Sequence, residues 1–189
     1  MACNLTKGRN IGCRDTVGGV KAVYFAQHDE LTSYVSAAGE VTDFDLGAAD
    51  DIYKYLVKRG TAGITETVNA SSENGTVFYT QSVNLKLHKL TKEDQNEIKA
   101  LSQQRLVIFA ELNELNSAGK NVIVAMGLDN GCELSAGTNS SGVALGDMNG
   151  YDWTFEGQEP NPMQTVADYT TTPFDNSSFT MAGTSPVTS

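Results

Sequence analysis

The sequence predicts a mainly β protein: two packed antiparallel sheets or a distorted β-barrel, with one flanking α-helix at about residues 91–104. Three observations carry that expectation. Apolar and polar residues alternate with period two, above all in Thr76–His88, where Val77, Tyr79, Val83, Leu85 and Leu87 share one parity and Thr76, Thr80, Ser82, Asn84 and Lys86 the other. The chain has 18 glycines against 4 prolines, and the glycines fall between short β-rich runs, as turns between antiparallel strands require. Only one stretch, after Thr91, changes to helical spacing.

In chain order, Val20–Gln27 reads as a first strand. Glu30–Val35 and Val41–Leu46 form a pair around the Ala38-Gly39 turn. Ile52–Lys58 and Ile64–Asn69 both alternate and follow as strands. Glu73-Asn74-Gly75 then predicts a hairpin turn of type I′, because Asn-Gly accepts positive φ. Phe78 interrupts the polar parity of the strand after it and marks a candidate inter-subunit contact. Thr91 is a good N-cap with Glu93 and Asp94 in the first turn, and Leu90, Ile98 and Leu101 give the helix its apolar side. Arg105–Leu112 is apolar on both parities, as expected of a strand covered by a sheet on one side and the helix on the other. Asn116–Lys120 turns into Asn121–Met126, and Asp129-Asn130-Gly131 turns into Cys132–Ala136. Asp147–Gly150 leads into Tyr151–Gly157, with Tyr151, Trp153 and Phe155 on one side.

The expected organisation is therefore an N-terminal arm over 1–19, a β domain over 20–157, and an extended tail over 158–189. The tail holds all four prolines and many Ser, Thr and Asn residues. Its isolated apolar residues Met163, Val166, Tyr169 and Phe174 suit docking on a neighbouring subunit, or a loose terminus.

Composition excludes several functions. At 189 residues the chain can bury a core without disulfides or metal. Mean hydropathy is -0.27, and no apolar run approaches the ~20 residues of a membrane span. Net charge is -10, and the densest basic stretch, Lys86 to Lys92, holds three lysines. Gripping nucleic acid needs a basic face, so tight binding is not expected. The first residues lack the apolar stretch of a signal peptide, which predicts a cytoplasmic chain. Three cysteines (Cys3, Cys13, Cys132) cannot form a disulfide framework and read as buried thiols.

Catalytic patterns are missing. There is no phosphate-binding G-x-x-x-x-G-K-[ST], no G-x-G-x-x-G after a strand, and no G-x-S-x-G. His28 and His88 read as polar or capping residues. Asp147-Met148-Asn149-Gly150 resembles part of a calcium loop but is followed at once by a strand, so it reads as a turn. Neither the Asp50-Asp51 pair nor the Glu93-Asp94 pair is spaced as an acid/base dyad. The expectation is a non-enzyme with no cofactor and no metal.

A resemblance extends this reading. Cys13-Arg14-Asp15 with Val17-Gly18-Gly19-Val20-Lys21 and Val23-Tyr24-Phe25, then Asn74–Tyr79 running through Leu87-His88-Lys89-Leu90, then Asn96–Leu101 and Arg105-Leu106-Val107, and finally Gly127–Gly131 and Gly146–Tyr151 follow one another in an order similar to tail tube proteins of bacteriophages. The likeness spans Cys13 to Glu159. The Glu114–Gly119 loop is longer than its hairpin needs, and the tail lies outside the match.

The resemblance implies a virion subunit that stacks as homo-hexameric rings whose inner strands form one β-lined tube. DNA would be a passing cargo only. Baseplate or tip, terminator and possibly sheath proteins would be partners, assembly would occur in the host bacterial cytoplasm, and no membrane contact is implied. The polar parity Thr80, Ser82, Asn84 and Lys86 would face the lumen, and six copies would carry about -60 per ring, a field that repels phosphates over ~8–10 Å. Two other readings share these features. One is a β-sandwich binding module for capsid decoration or host-surface adhesion, with Tyr53, Tyr55 and Trp153 as an aromatic patch. The other is the tube of a tail-like secretion particle.

Overall fold

The period-two segments become strands with nearly the expected bounds. The computed structural model describes residues 7–11, 14–47, 50–181 and 186–188. Its elements are β1 (Val20–Gln27), β2 (Leu31–Ala37), β3 (Glu40–Leu46), β4 (Tyr53–Leu56), β5 (Ala62–Ser71), β6 (Thr76–His88), α1 (Lys92–Leu101), β7 (Leu106–Leu115), β8 (Asn121–Met126), β9 (Glu133–Ser140), β10 (Gly150–Glu159) and β11 (Gln164–Val166). They form a seven-stranded sheet in the order β2-β3-β11-β8-β7-β1-β4 and a four-stranded sheet in the order β5-β6-β10-β9. The two sheets pack face to face as a sandwich; neither closes into a barrel.

Between the sheets lies the first core. Val23 and Phe25 of β1, Ile108 and Ala110 of β7, Val83 and Leu85 of β6, and Tyr151, Trp153 and Phe155 of β10 are all buried there. The helix closes one end of this core with Leu101, Ile98 and the preceding Leu90. Thr91 caps it as expected, its hydroxyl accepting the Asp94 N–H at 3.1 Å. The helix stops at Leu101, three residues early, because Ser102 to Gln104 leave the apolar side and turn towards β7.

The second core is the unexpected one. The other parity of the same central strands, Ala22, Tyr24 and Ala26 of β1 with Val107 and Phe109 of β7, points to the opposite face of the seven-stranded sheet. The helix does not cover that face. The chain after β10 does, with Phe174 buried and Tyr169, Phe179 and Met181 packed around it. The Phe174 ring meets Tyr24 and Phe109 edge-on at 5.1 Å each and Phe44 at 5.9 Å. Its backbone sits at φ 68°, a strained geometry for a non-glycine residue that this packing over-determines. A buried carboxylate shares the layer: Glu111 accepts from the Tyr24 hydroxyl at 2.5 Å and from the half-exposed Lys21 ammonium at 2.6 Å. Burial, with that hydrogen bond, holds the Tyr24 hydroxyl well above its ordinary pKa.

The described residues between 158 and 188 therefore do not form the extended tail expected over 158–189. β10 runs on to Glu159, and β11 inserts between β3 and β8, parallel to β3 and antiparallel to β8, so the larger sheet is not purely antiparallel. Thr180 bonds along β3, and Val187 bonds to the edge of β4 through Ile52 and Lys54. The polar composition misled because the few apolar residues are spaced to reach one pre-existing face, not to build a core alone. Met163, Val166, Tyr169 and Phe174 dock on their own chain.

Two smaller expectations also change. The β5–β6 turn spans residues 72–75, with only Gly75 at positive φ, so it is a four-residue loop and not a two-residue type I′ turn. In the N-terminal arm, residues 7–11 and 14–18 are exposed and carry no strand or helix, while Cys3 and Cys13 lie outside the described residues. Cys132 is buried, and desolvation pushes its thiol up to about 12.

Removing the Phe174 ring should be among the costliest single truncations in the molecule. Phe174→Ala is expected to lower unfolding free energy by about 3–5 kcal/mol in urea titration. Val143→Ala, on an exposed loop, should leave the midpoint unchanged.

Candidate assembly surface

The four-stranded sheet has one apolar and one polar face. Strand parity places Thr80, Ser82, Asn84 and Lys86 of β6 together on the side away from the core, beside Thr65 and Thr67 of β5 and Asp152, Thr154 and Glu156 of β10. All four expected residues thus share one face. They are half-buried by their neighbours and tied across strands. The Asn84 amide donates to Asp152 at 3.0 Å and to Thr154 Oγ1 at 3.3 Å. The Lys86 ammonium meets Asp152 at 2.7 Å. Asn69 donates to the Thr80 hydroxyl at 2.8 Å. These links make the face a fixed lattice of hydroxyls and amides and not a fringe of mobile side chains.

Its charges are arranged unevenly. Lys86, with Asn84 second, holds Asp152 below the ordinary carboxylate range, so that charge is neutralised locally. Glu156 stands directly opposite Glu133 in the β10–β9 register, with no cation bridging the two among the described residues. Like charges paired across strands cost stability, so the sheet keeps this pair against its own folding interest.

The edges of the two sheets differ in kind. In the larger sheet, β2 has two register irregularities and β4 is four residues long with Val187 bonded along it. These are devices that blunt an edge against pairing with another chain. In the smaller sheet, β5 is ten residues long, pairs with β6 without any irregularity, and carries Glu66 as its single charge. β9 is eight residues long with Glu133 as its single charge and one bulge near its start. Neither contains proline. Both outer edges lack a partner strand among the described residues.

Phe78 stands 38% exposed on the same polar face, at the end of β6 that passes beyond β10. The last β10 partner of β6 is Tyr79, so residues 76–78 and the facing 69–71 form an overhanging hairpin. Val68 and Val77 are exposed on its other side. The hairpin therefore carries exposed apolar residues on both faces just behind its polar turn and extends beyond the last strand that pairs with β6 on the β10 side.

The alternative aromatic patch does not form. Trp153 is buried, and Tyr55 packs edge-on against Phe25 at 5.1 Å, leaving Tyr53 alone exposed. Nor do three His, Cys, Asp or Glu side chains come together as metal ligands among the described residues. His28 bonds the Asp129 carbonyl at 3.2 Å through its ring, and His88 ends β6 on the surface.

A residue the sequence reading missed is Glu159. It is buried, and its carboxylate accepts the N–H groups of Asp129, Asn130 and Gly131 at 2.9–3.2 Å, pinning the turn that launches β9. Burial raises its pKa, against the pull of those three bonds. The signal was present: Glu159 continues the buried parity of Tyr151, Trp153 and Phe155.

The Asp152 carboxyl should titrate below its ordinary range in a carbon-detected NMR pH series and move upward in Lys86→Met. Because its folded pKa is lowered, the bridge stabilises the fold above about pH 4 and is lost as pH falls through the folded value. Glu156→Gln should raise the urea midpoint slightly, in contrast to most surface substitutions.

Compared with protein-family models, with curated proteins and with solved structures, the chain has no match in any of the three.

Proposed function

We propose that the chain is a self-assembling tube subunit of a bacteriophage tail, six copies forming a ring and rings stacking into a conduit for DNA. The observation that carries this reading is the contrast in edges. The larger sheet is protected against pairing, whereas the smaller one offers two long, nearly uncharged edges, β5 without irregularity and β9 with a single bulge near its start. In the order β5-β6-β10-β9 all neighbours are antiparallel, so β9 runs opposite to β5. Copies with one common orientation can therefore add β9 of one to β5 of the next and continue the antiparallel sheet around a ring.

Six four-stranded sheets make a 24-stranded wall. At about 4.8 Å between strands its radius is about 18 Å, rising to about 24 Å with strands tilted by 40°. The polar face, with Thr80, Ser82, Asn84 and Lys86, would line the bore, and the larger sheet would sit outside. A lumen of hydroxyls, amides and the unneutralised Glu133–Glu156 pair gives a passing duplex neither a basic groove to bind nor an apolar surface to stick to. The overhanging β5–β6 hairpin, with Phe78 exposed behind its turn, suits the contact between successive rings. On this reading the subunit assembles in the host bacterial cytoplasm and resides in the virion tail. Its partners are other copies of itself, a baseplate or tip, a terminator and, in a contractile tail, a sheath.

Negative-stain electron microscopy with light scattering tests the reading. Hollow rings or tubes are expected as concentration rises. Ser82→Cys in assembled tubes should resist a bulky maleimide applied from outside yet react fully in monomer. Phe78→Asp should leave rings but shorten or abolish tubes. A monomer at every concentration, or rapid labelling of Ser82→Cys in intact tubes, would overturn the assignment.

A further inference from the structure

The β9–β10 loop, residues 141–149, ends in two side chains with nothing around them: Val143 and Leu145 are both fully exposed. Isolated surface apolar residues are ordinary, but these two sit on a loop whose shape is fixed from within. The Asp147 carboxylate accepts the N–H groups of Val143 at 2.9 Å and Ala144 at 2.8 Å, and the Asp147 N–H donates to the Ala144 carbonyl at 3.0 Å. Those bonds hold Asp147 below the usual carboxylate range, so it stays ionised. The Gly142 backbone at φ 70° passes so close to Asp147 that a Cβ there would stand 2.6 Å from its side chain. The loop presents two apolar groups in a fixed geometry, with little left to order on binding.

A cleft of about 520 Å³ lies at the other lateral edge of the molecule. Its apolar lining includes Tyr53 and Leu56 of β4, Leu87 of β6 and Val187, while Lys54, Lys58 and Lys86 bring positive charge and Glu93, Asp94 and Glu97 of α1 negative charge. Leu56 is 67% exposed in it. This size is within the range of pockets that enclose a ligand group.

The topology sets both features at the same end of the molecule. Gly150, where the loop enters β10, pairs with His88, and β5 starts at Ala62 beside Leu85. The loop therefore leaves from the β9 side at the end where α1, the last residues of β6 and the start of β5 meet. The short 57–61 connection keeps β4 and β5 on the opposite lateral edge, and Thr61 bonds to Lys86 at that corner.

We infer that the 141–149 loop of one copy seats Val143 and Leu145 in the β4–β6–α1 cleft of the adjoining copy in the same ring. The inference rests on the ring reading above, because pairing β9 with the next copy's β5 brings these two corners, and no others at that end, side by side. Charge orients the contact: Lys86 is already paired with Asp152, so the loop's single charge, Asp147, is drawn to Lys54 and Lys58 and repelled by the α1 acids, and the loop lies along β4. The strand pairing supplies continuity of the wall, and the loop supplies a lateral lock outside it that fixes which register of β9 on β5 is allowed.

Cross-linking between copies tests this. One chain carries Leu145→Cys and another Leu56→Cys, both with Cys3→Ser and Cys13→Ser; Cys132 is buried and unreactive. Both substituted positions are exposed, so folding is unaffected. Mixed, assembled and treated with a short bis-maleimide, they should give a covalent dimer that neither chain gives alone. Val143→Ser with Leu145→Ser should raise the concentration needed for assembly at least tenfold while circular dichroism stays unchanged. Rings that form without the mixed cross-link would overturn the loop contact and leave the ring reading standing. Monomers at all concentrations in the unsubstituted chain would overturn both.

Discussion

Everything in this fold depends on one demand: the central strands β1 and β7 are apolar on both faces, and each face must be covered. The smaller sheet covers one. The other is closed by a segment that looks, by composition, unable to fold at all. Phe174 sits at the centre of that cover against Tyr24, Phe44 and Phe109, and β11 holds the segment in register by joining the sheet it roofs. Once this layer is in place, the larger sheet is finished on both faces and at both edges. The smaller sheet alone is left with something to offer.

On the proposed reading, that division separates the work of staying folded from the work of meeting neighbours. The buried carboxylate of the larger sheet, Glu111, is satisfied within the chain, between Tyr24 and Lys21. Among the described residues the smaller sheet keeps unpaired edges, a like-charge pair across its strands and exposed apolar side chains on its overhanging hairpin, each of which an isolated monomer would be better without. Features that cost an isolated chain stability are the ones most informative about what it meets.

Much of this was legible in the sequence because strand parity is a local signal. Thr76–His88 gave its inner and outer faces directly, and Thr91 with Asp94 gave the helix start. The polar set Thr80, Ser82, Asn84 and Lys86 followed from the same alternation. The double apolar parity of β7 was visible too, but its second partner was misassigned to the helix. Nothing local says that Phe174 belongs against Tyr24, since 150 residues separate them and the segment between Pro160 and Pro186 has neither period two nor helical spacing. Glu159 was lost for a narrower reason: the prolines after it drew the end of its strand two residues too early. The cleft at β4 was beyond reach of sequence, being made by three elements and Val187.

The placement of β11 also sets a clock. Its Thr165 lies against Gly39 and Glu40, 126 residues earlier in the chain. At ~5–20 residues per second of synthesis, β3 waits roughly 6–25 s on the ribosome before its neighbour emerges, and Phe174 follows later still. During that interval the nascent β1–β8 region exposes an apolar sheet face with no cover. The β9 strand is translated just before the roof, whereas β5, the opposite edge of the same sheet, emerges before β6 and α1. On the ring reading proposed above, a copy can therefore offer its β9 edge only as it becomes able to bury its own interior.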